Sequence, residues 1–385
     1  MKKLILPVLA GCIVTGALSH ETLTTTVLFD REIVRILNNH CVMCHAENGP
    51  SFPLATYEQT WLQKRQIRAE VIARHMPPWA AVPGYGQFVN DNSLTLRETQ
   101  FVVSWVEGLG PRNSGTVFTN IAGPDAARPK EVAAHADFGH WHLGEAMLTR
   151  QLSANTIEAK QADDIRRTVI DLGLTSERRL RSLEYMPGDR RVVRAAFFNI
   201  QETGQWIGSW TPWYGFVSLP KDAAWRLPAG SHVVAEIHYR GTQERVIDKG
   251  VLGLFFADQP SPELVSDLVL EAKGEVPAGA ASQKFRAAAR LASDTYALAL
   301  RPEIQPGVKS VEVSARRPDG GTEVMLFAKD FPIEWPAPYI FKDPVALSKG
   351  TELSVTAYYA NAGSTPTIGG VRLTVSQYRK AGSRK

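Results

Sequence analysis

The clearest chemistry in the chain lies in Asn39-His40-Cys41-Val42-Met43-Cys44-His45, which contains Cys-x-x-Cys-His, the attachment pattern of a c-type haem. Two cysteines separated by two residues at a helix end present both sulfurs to one side, where they can form thioethers with the vinyl groups of a porphyrin. His45 is then left beneath the iron as proximal ligand. Cys41 and Cys44 are therefore expected to hold one haem c covalently. A redox disulfide should follow a strand and open a helix, and half of a zinc site needs a second ligand pair. The segment from Asp30 to His40 instead reads as helix, with Ile33, Ile36 and Leu37 on one face, and no other cysteine pair exists.

A sixth ligand should come from His75-Met76-Pro77-Pro78-Trp79. Met76 is the expected residue. A thioether raises the iron's potential relative to a second histidine, and the two prolines stop the preceding helix and hold the following loop. His75 is the rival ligand.

The elements that position these residues can be read around them. Thr56-x-x-Gln59 and Thr95-x-x-Glu98 are capping boxes, each opening a helix. The first helix runs towards His75 and stops at the prolines. The second carries Phe101, Val102, Trp105, Val106 and Leu109 at helical spacing and ends at Gly110-Pro111. Helix, haem motif, helix, Met loop, helix describes a small all-α cytochrome c domain over residues 20–115.

Residues 1–19 read as a signal peptide. Met1-Lys2-Lys3 precedes an apolar run from Leu4 to Leu18, too short to be a good membrane span. Export to the periplasm is expected, which agrees with covalent haem attachment on that side of the membrane. Cleavage after Ala17-Leu18-Ser19 satisfies the small-residue rule. Leu9-Ala10-Gly11-Cys12 also resembles a lipobox, so a lipoprotein anchored at Cys12 is the alternative.

At 385 residues the chain should form two or three domains. With 43 Lys+Arg against 39 Asp+Glu the formal net charge is +4 without a long run of one sign, so nucleic acid is not an expected partner. Arg178, Arg179, Arg181, Arg190, Arg191 and Arg194 cluster in sequence, and an acidic partner could dock there; a solvated surface is the plainer reading.

From Gly115 the periodicity drops to two. Candidate strands are Val192–Ile200, His232–Tyr239, Val251–Phe256, Tyr296–Leu300, Val311–Ala315, Glu323–Phe327, Leu353–Tyr359 and Val371–Val375, separated by turns such as Pro228-Ala-Gly and Pro318-Asp-Gly-Gly. Short alternating strands with Gly/Pro turns mean β-sandwich. The length suits two of them, over residues 116–259 and 260–385, with a break near Gln259-Pro260-Ser261-Pro262. The fold class expected is thus multidomain: a small all-α cytochrome c domain followed by two all-β sandwiches.

Several stretches carry a family resemblance. His75-Met-Pro-Pro-Trp with Pro83-Gly-Tyr-Gly-Gln-Phe-Val-Asn-Asp resembles the haem domain of bacterial proteins that fuse a cytochrome c to a copper type II, ascorbate-dependent monooxygenase module, the module of peptidylglycine α-hydroxylating monooxygenase. Tyr185-Met-Pro-Gly-Asp-Arg-Arg-Val-Val, Leu227-Pro-Ala-Gly-Ser, Ile237-His238-Tyr239, Gly253-Leu-Phe-Phe-Ala and Leu347-x-Lys-Gly-Thr look like landmarks of that module. The resemblance implies two consecutive jelly rolls, each holding one copper. The chain departs from it at the ligands. Members with copper carry a His-His pair where Arg194-Ala195 stand, and a His-x-His where the chain reads Leu300-Arg301-Pro302-Glu303-Ile304-Gln305; no histidine follows His238. Glu303 and Gln305 suit Cu(I) poorly, so copper is not expected and both sandwiches read as degenerate.

His140-Trp141-His142 could chelate a metal, with His135 close by, although ordinary surface histidines are the simpler reading. No Ser-His-Asp elbow, phosphate-binding loop or dinucleotide fingerprint is present. The function expected is an exported mono-haem c-type cytochrome acting in electron transfer, with a non-catalytic β region for docking or complex assembly. Its partner would be a redox protein, for example a membrane-bound respiratory or other electron-transfer complex. The alternative is an oxidoreductase or monooxygenase with a rebuilt metal site that receives electrons from the haem.

Overall fold

Thr56 and Thr95 start the two longer helices through reciprocal capping. In the first, Thr56 Oγ1 accepts from the Gln59 N–H (3.3 Å) while Gln59 Oε1 accepts from the Thr56 N–H (3.1 Å). Thr95 and Glu98 repeat the arrangement at 3.2 and 2.8 Å, so each box satisfies amides that the first helical turn leaves unpaired. The structure, a computed structural model, describes residues 25–47, 49, 51–113, 140–257, 263–332 and 334–379. The expected signal segment 1–19, Cys12, His135 and the break at 259–262 lie outside the described residues.

A π-helical turn, Phe29–Ile33, leads into α1 (Val34–His40), followed by α2 (Tyr57–Ala73) and α3 (Leu96–Glu107). α2 stops where Arg74 takes the left-handed conformation at φ 58°. Ile33, Ile36, Leu37, Leu54, Val71, Val102, Trp105 and Val106 form a small apolar cluster between the helices. No helix among the described residues is long and apolar enough to cross a membrane.

The rest is β. The first group comprises β1 (Leu148–Gln151), β2 (Asn155–Ile157), β3 (Asp164–Asp171), β4 (Arg178–Met186), β5 (Val193–Ile200), β6 (Trp206–Trp210), β7 (Phe216–Ser218), β8 (Ala223–Leu227), β9 (His232–Tyr239), β10 (Val246–Asp248), β11 (Val251–Phe256) and β12 (Glu263–Leu264). Its two larger sheets run β1-β11-β4-β8-β12, with β7 also on β4, and β3-β9-β5-β6. The second group comprises β13 (Ser266–Val276), β14 (Gln283–Arg290), β15 (Thr295–Ile304), β16 (Val308–Arg316), β17 (Thr322–Lys329), β18 (Tyr339–Leu347), β19 (Glu352–Tyr359) and β20 (Thr367–Arg379). Its sheets run β13-β20-β15-β18 and β14-β19-β16-β17, the interleaved order of a jelly roll. The period-two pattern does what it should: on β9 His232, Val234, Glu236 and His238 stay half-exposed while Val233, Ala235, Ile237 and Tyr239 are buried.

These sheets correct the expected fold class. The molecule is predominantly β, and its three α-helices do not close into an all-α cytochrome c domain that precedes two sandwiches. The reason is the segment between α2 and α3. Trp79, Ala80, Ala81 and Phe88 belong to the core of the second sandwich rather than to the helical cluster. The segment pairs at Ala81 with Ala328 on β17 and at Phe88 with Phe341 on β18, the outer strand of each sheet on that side. Asn90 fastens its end: Asn90 Nδ2 donates to the Pro338 carbonyl (2.7 Å), Asn90 Oδ1 accepts from the Ile340 N–H (3.1 Å), and the Asn90 carbonyl accepts from Trp213 Nε1 (3.1 Å).

Two outcomes follow from these contacts. Asn90→Ala leaves the buried Pro338 carbonyl and Ile340 N–H unpaired, each costing about 1–3 kcal/mol, so denaturant unfolding should show a loss of roughly 2–6 kcal/mol. The second concerns pH. His40 Nε2 and Glu98 Oε1 lie 3.3 Å apart between α1 and α3. The His40 hydrogen bond, opposed by burial and helped by Thr95, lowers the Glu98 carboxyl to about 2. Burial alone would lower the His40 imidazolium, but Glu98 and Asn92 outweigh it and raise the net value. Glu98 then stabilises the fold above its unfolded pKa and loses that as pH falls through about 2; His40 stabilises below its unfolded pKa and loses that as pH rises through its raised one. The contact should be strongest between about pH 4.5 and 6.5, and Glu98→Gln should flatten the pH dependence of unfolding on both sides.

Candidate functional site

The Cys-x-x-Cys-His residues occupy the turn that ends α1. The Cys41 N–H still reaches Leu37 O (2.8 Å), after which Cys44 and His45 both donate to the Cys41 carbonyl at 3.0 and 2.9 Å. Both thiols and the imidazole therefore sit on one turn of chain. Gly49 approaches from below, where a Cβ would lie 2.8 Å from the Cys44 carbonyl oxygen. His45 Nδ1 donates to the Phe52 carbonyl at 2.8 Å, and the two rings lie 4.8 Å apart. A carbonyl can only accept, so Nδ1 carries the proton and Nε2 keeps its lone pair, the arrangement that orients a metal-binding histidine. Burial lowers the His45 pKa, opposed by the Phe52 bond and assisted by the Arg194 charge, so the neutral, ligating form is favoured.

The turn sits between two cores. Cys41 and Val42 rest on the helical cluster, while Met43 and Cys44 pack against the second sandwich. Burial, with the Cys44 and Glu98 charges, pushes the Cys41 thiol up to about 12. Burial pushes Cys44 up to about 11 against the pull of Arg190 and Arg194. Thiols held this far from the thiolate are poor nucleophiles, which counts against a redox-exchange role for them in the unmodified chain.

Met76 comes from a different element. After Arg74 the His75 N–H returns to Glu70 O at 3.0 Å and the Met76 N–H to the same oxygen at 3.4 Å, which ties the residues to the end of α2. The Met76 side chain remains 40% exposed, while Pro77, Pro78 and Trp79 are buried behind it. His75 is also exposed and its Nδ1 meets Glu70 Oε2 at 3.1 Å. The structure thus gathers Cys41, Cys44 and His45 on one turn and leaves Met76 and His75 apart from them.

The positions where the resemblance expects copper ligands hold other contacts. Arg194, on β5, is 7% exposed and stacks over Trp335 at 3.9 Å. His238 Nε2 meets Glu236 Oε1 at 3.0 Å, and Glu236 also accepts from Arg167 Nε at 2.7 Å. On β15, Arg301 pairs with Asp267 at 3.4 Å and lies 5.1 Å from the Trp206 ring, and Glu303 accepts from Arg372 at 2.8 Å. His142 Nδ1 faces Glu184 Oε1 at 2.7 Å, and that buried carboxylate also accepts the N–H groups of His142 and Leu143, so the pair anchors the chain entering β1. Among the described residues no three His, Cys, Asp or Glu side chains are grouped to hold a metal ion.

Sequence reasoning missed three participants: the Phe52 carbonyl, Glu184, and the closeness of Arg190 and Arg194 to the haem turn. The first is a backbone group and carries no residue signature. Glu184 lies on a strand that the arginine-rich run around it disguises. Arg190 and Arg194 stood out as members of a sequence cluster of arginines, and Arg194 also as a ligand replaced, but not as neighbours of this turn.

No family model matches the chain, and no curated protein matches it. Among solved structures it is similar to the major capsid protein P2 of bacteriophage PM2, at 9% identity and TM-score 0.24 over 59% of this chain and 97% of that one. It is similar also to PNGase F, a glycosylasparaginase from Flavobacterium meningosepticum, at 9% identity and TM-score 0.28 over 59% of this chain and 95% of that one. A third is the structure of infectious bursal disease virus Gt strain, at 10% identity and TM-score 0.23 over 62% and 74% of the two chains. Scores this low establish neither kinship nor function.

Met76 and His75 make a testable distinction. If a haem is attached at Cys41 and Cys44, Met76→Ala should lower its reduction potential by roughly a tenth of a volt or more, within the ~0.8 V range that axial ligands span. His75→Ala should leave both potential and low-spin spectrum close to wild type; the reverse pattern would assign the ligand to His75.

Proposed function

We propose that the chain is a mono-haem c-type electron-transfer protein. In this reading Cys41 and Cys44 bond the porphyrin, His45 and Met76 ligate the iron, and the β region is a non-catalytic body for housing and docking. The observation that carries the reading is the His45 ring, held by the Phe52 carbonyl so that Nε2 is left for a metal, on the same turn as two half-buried free cysteines. When bound, the haem would supply a one-electron couple. The chain's own residues would do the rest. Phe52 fixes the tautomer and tilt of His45, Pro77 and Pro78 restrict the backbone beyond Met76, and the contact of Met43 and Cys44 with the second sandwich keeps water from that side of the turn.

Export to the periplasm and a redox partner, such as a membrane-bound respiratory complex, belong to the same proposal, with a lipid anchor at Cys12 as the alternative route to the membrane. The resemblance to cytochrome–monooxygenase fusions supports reading the β units as copper modules that have lost their ligands. The stacked Arg194 and the ion-paired Arg301 and Glu303 support a carrier over a copper monooxygenase, because each already has a structural partner where a ligand would be needed.

Purified mature protein should keep a peroxidase-active band on a denaturing gel, and its intact mass should exceed that of the polypeptide by one haem. Cys41→Ala and Cys44→Ala together should abolish both signals. Metal analysis should find iron at one per chain without stoichiometric copper. Haem that extracts into acid solvent would end the proposal, and tight copper lost on His238→Ala would return the β region to monooxygenase chemistry.

A further inference from the structure

The two sheets of the second sandwich are each closed at one end and open at the other. The segment between α2 and α3 bridges to β17 and β18, while β14 and β13 end the same two sheets on the other side, and among the described residues no strand pairs beyond them. Natural sheets guard such edges with short strands, prolines, bulges or like charges, because an open row of N–H and C=O groups accepts another chain. β14 is guarded in this way. Lys284, Arg286 and Arg290 stand exposed on one face, so a second copy laid beside it would meet its own charge.

β13 has none of these devices. It is eleven residues long, about twice the usual 5–6. It contains no proline, and its register with β20 runs without a bulge from Ser266 beside Gln377 to Val276 beside Thr367. Its outer face carries Glu271, Lys273 and Glu275, charges that alternate in sign, with Val269 42% exposed beside them. Its inner face carries Leu268, Leu270, Ala272, Gly274 and Val276, and Leu268 and Ala272 rest on the sandwich core while only half-buried. Glu271 has one long ion pair, with Arg372 at 3.8 Å, and Lys273 has none among the described residues.

We propose that β13 is a self-pairing edge, at which a second copy of this chain docks antiparallel about a two-fold axis at Ala272. Successive side chains of a strand face opposite sides, so the two inner faces stay on one side only when odd positions oppose odd and even oppose even. With the axis at Ala272, residues 268–276 of both copies pair. Glu271 then lies opposite Lys273 of the second copy and Lys273 opposite its Glu271, while Leu268 opposes Val276 and Leu270 opposes Gly274 on the inner side. Neighbouring registers are worse. An axis at Glu271 or Lys273 sets that residue against itself, and one at Gly274 pairs only residues 272–276. An axis at Leu270 leaves Glu271 opposite Val269 and offers Lys273 only Asp267, which Arg301 and Ser376 already hold at 3.4 and 2.7 Å. Charge and strand length therefore select the same register.

The inference does not depend on the haem reading, and sedimentation velocity of the full chain over a concentration series tests it. The wild type should show a reversible monomer–dimer equilibrium, with β13 amides gaining hydrogen-exchange protection as the dimer fills. Lys273→Glu sets Glu opposite Glu at two symmetric places and should raise the dissociation constant about tenfold or more. Glu271→Lys should do the same by setting Lys opposite Lys. Both changes together restore opposite charges and should return the constant to near the wild-type value, a recovery that a folding defect would not give. If a single reversal does not accumulate, Lys273→Gln and Glu271→Gln are read instead, each with a smaller loss. A wild type that is monomeric at every concentration overturns the proposal, as does a dimer whose constant is indifferent to Lys273→Glu or a double exchange that fails to recover it.

Discussion

The structure turns on the segment from Trp79 to Asn92, which buries Trp79, Ala80, Ala81, Phe88, Asn90 and Asn92 and leaves residues 83–87 at the surface. A sandwich built as two four-stranded sheets leaves an unpaired edge at each end of each sheet, and such edges invite pairing with other chains. Here the segment runs along two of them. The Val82 N–H donates to Phe327 O (2.8 Å), Lys329 N–H to Ala80 O (3.1 Å), Val89 N–H to Ile340 O (2.8 Å) and Lys342 N–H to Gln87 O (2.8 Å). At about 1 kcal/mol each these bonds are worth on the order of 4 kcal/mol, and the burial of Trp79 and Phe88 adds to them. The same residues descend from α2 and lead into α3. The helical cluster and the second sandwich are therefore stabilised by one shared piece of chain, which is why neither reads as a separate unit.

That sharing places the Cys-x-x-Cys-His turn. Because α1 ends over the seam, Cys41 rests on the helical cluster and Cys44 on the sandwich. The seam also has a continuous aromatic lining: Arg194 on Trp335, Trp335 6.5 Å from Trp213, and Trp213 donating to the Asn90 carbonyl. A displacement of the segment at Asn90 would thus be felt at Arg194 through two rings in contact, without passing through the helices.

Much of the local structure was legible in the sequence. Both capping boxes form as read, and β5, β9, β11 and β19 fall within a residue of the ranges that alternation gave. The strands that escaped, such as β3, β13 and β14, are outer strands: on β13 and β14 the exposed positions are largely Glu, Lys and Arg, and on β3 the apolar Ile165 and Val169 face outward, so apolar residues do not mark the buried side. The all-α domain was misjudged for a different reason. Pro83-Gly-Tyr-Gly-Gln-Phe-Val-Asn-Asp has the composition of a surface loop, and nothing local in it reports that Phe88 and Asn90 will be buried by strands some 250 residues away in sequence. Within the candidate site, the cysteines and His45 were singled out because the expected chemistry demands adjacent residues. The Phe52 carbonyl and Arg194 were not, because backbone acceptors leave no mark and long-range proximity is a property of the fold.

Arg194 and His45 differ in what they can accept. A unit positive charge about 4 Å from a bare cation costs about 4 kcal/mol at an effective dielectric of 20, so the buried arginine of β5, its guanidinium stacked on Trp335, works against a copper ion bound beside it. The turn that ends α1 carries no such charge: with Nδ1 donating to the Phe52 carbonyl, the His45 ring keeps the lone pair on Nε2, and burial favours its neutral form, which suits a metal.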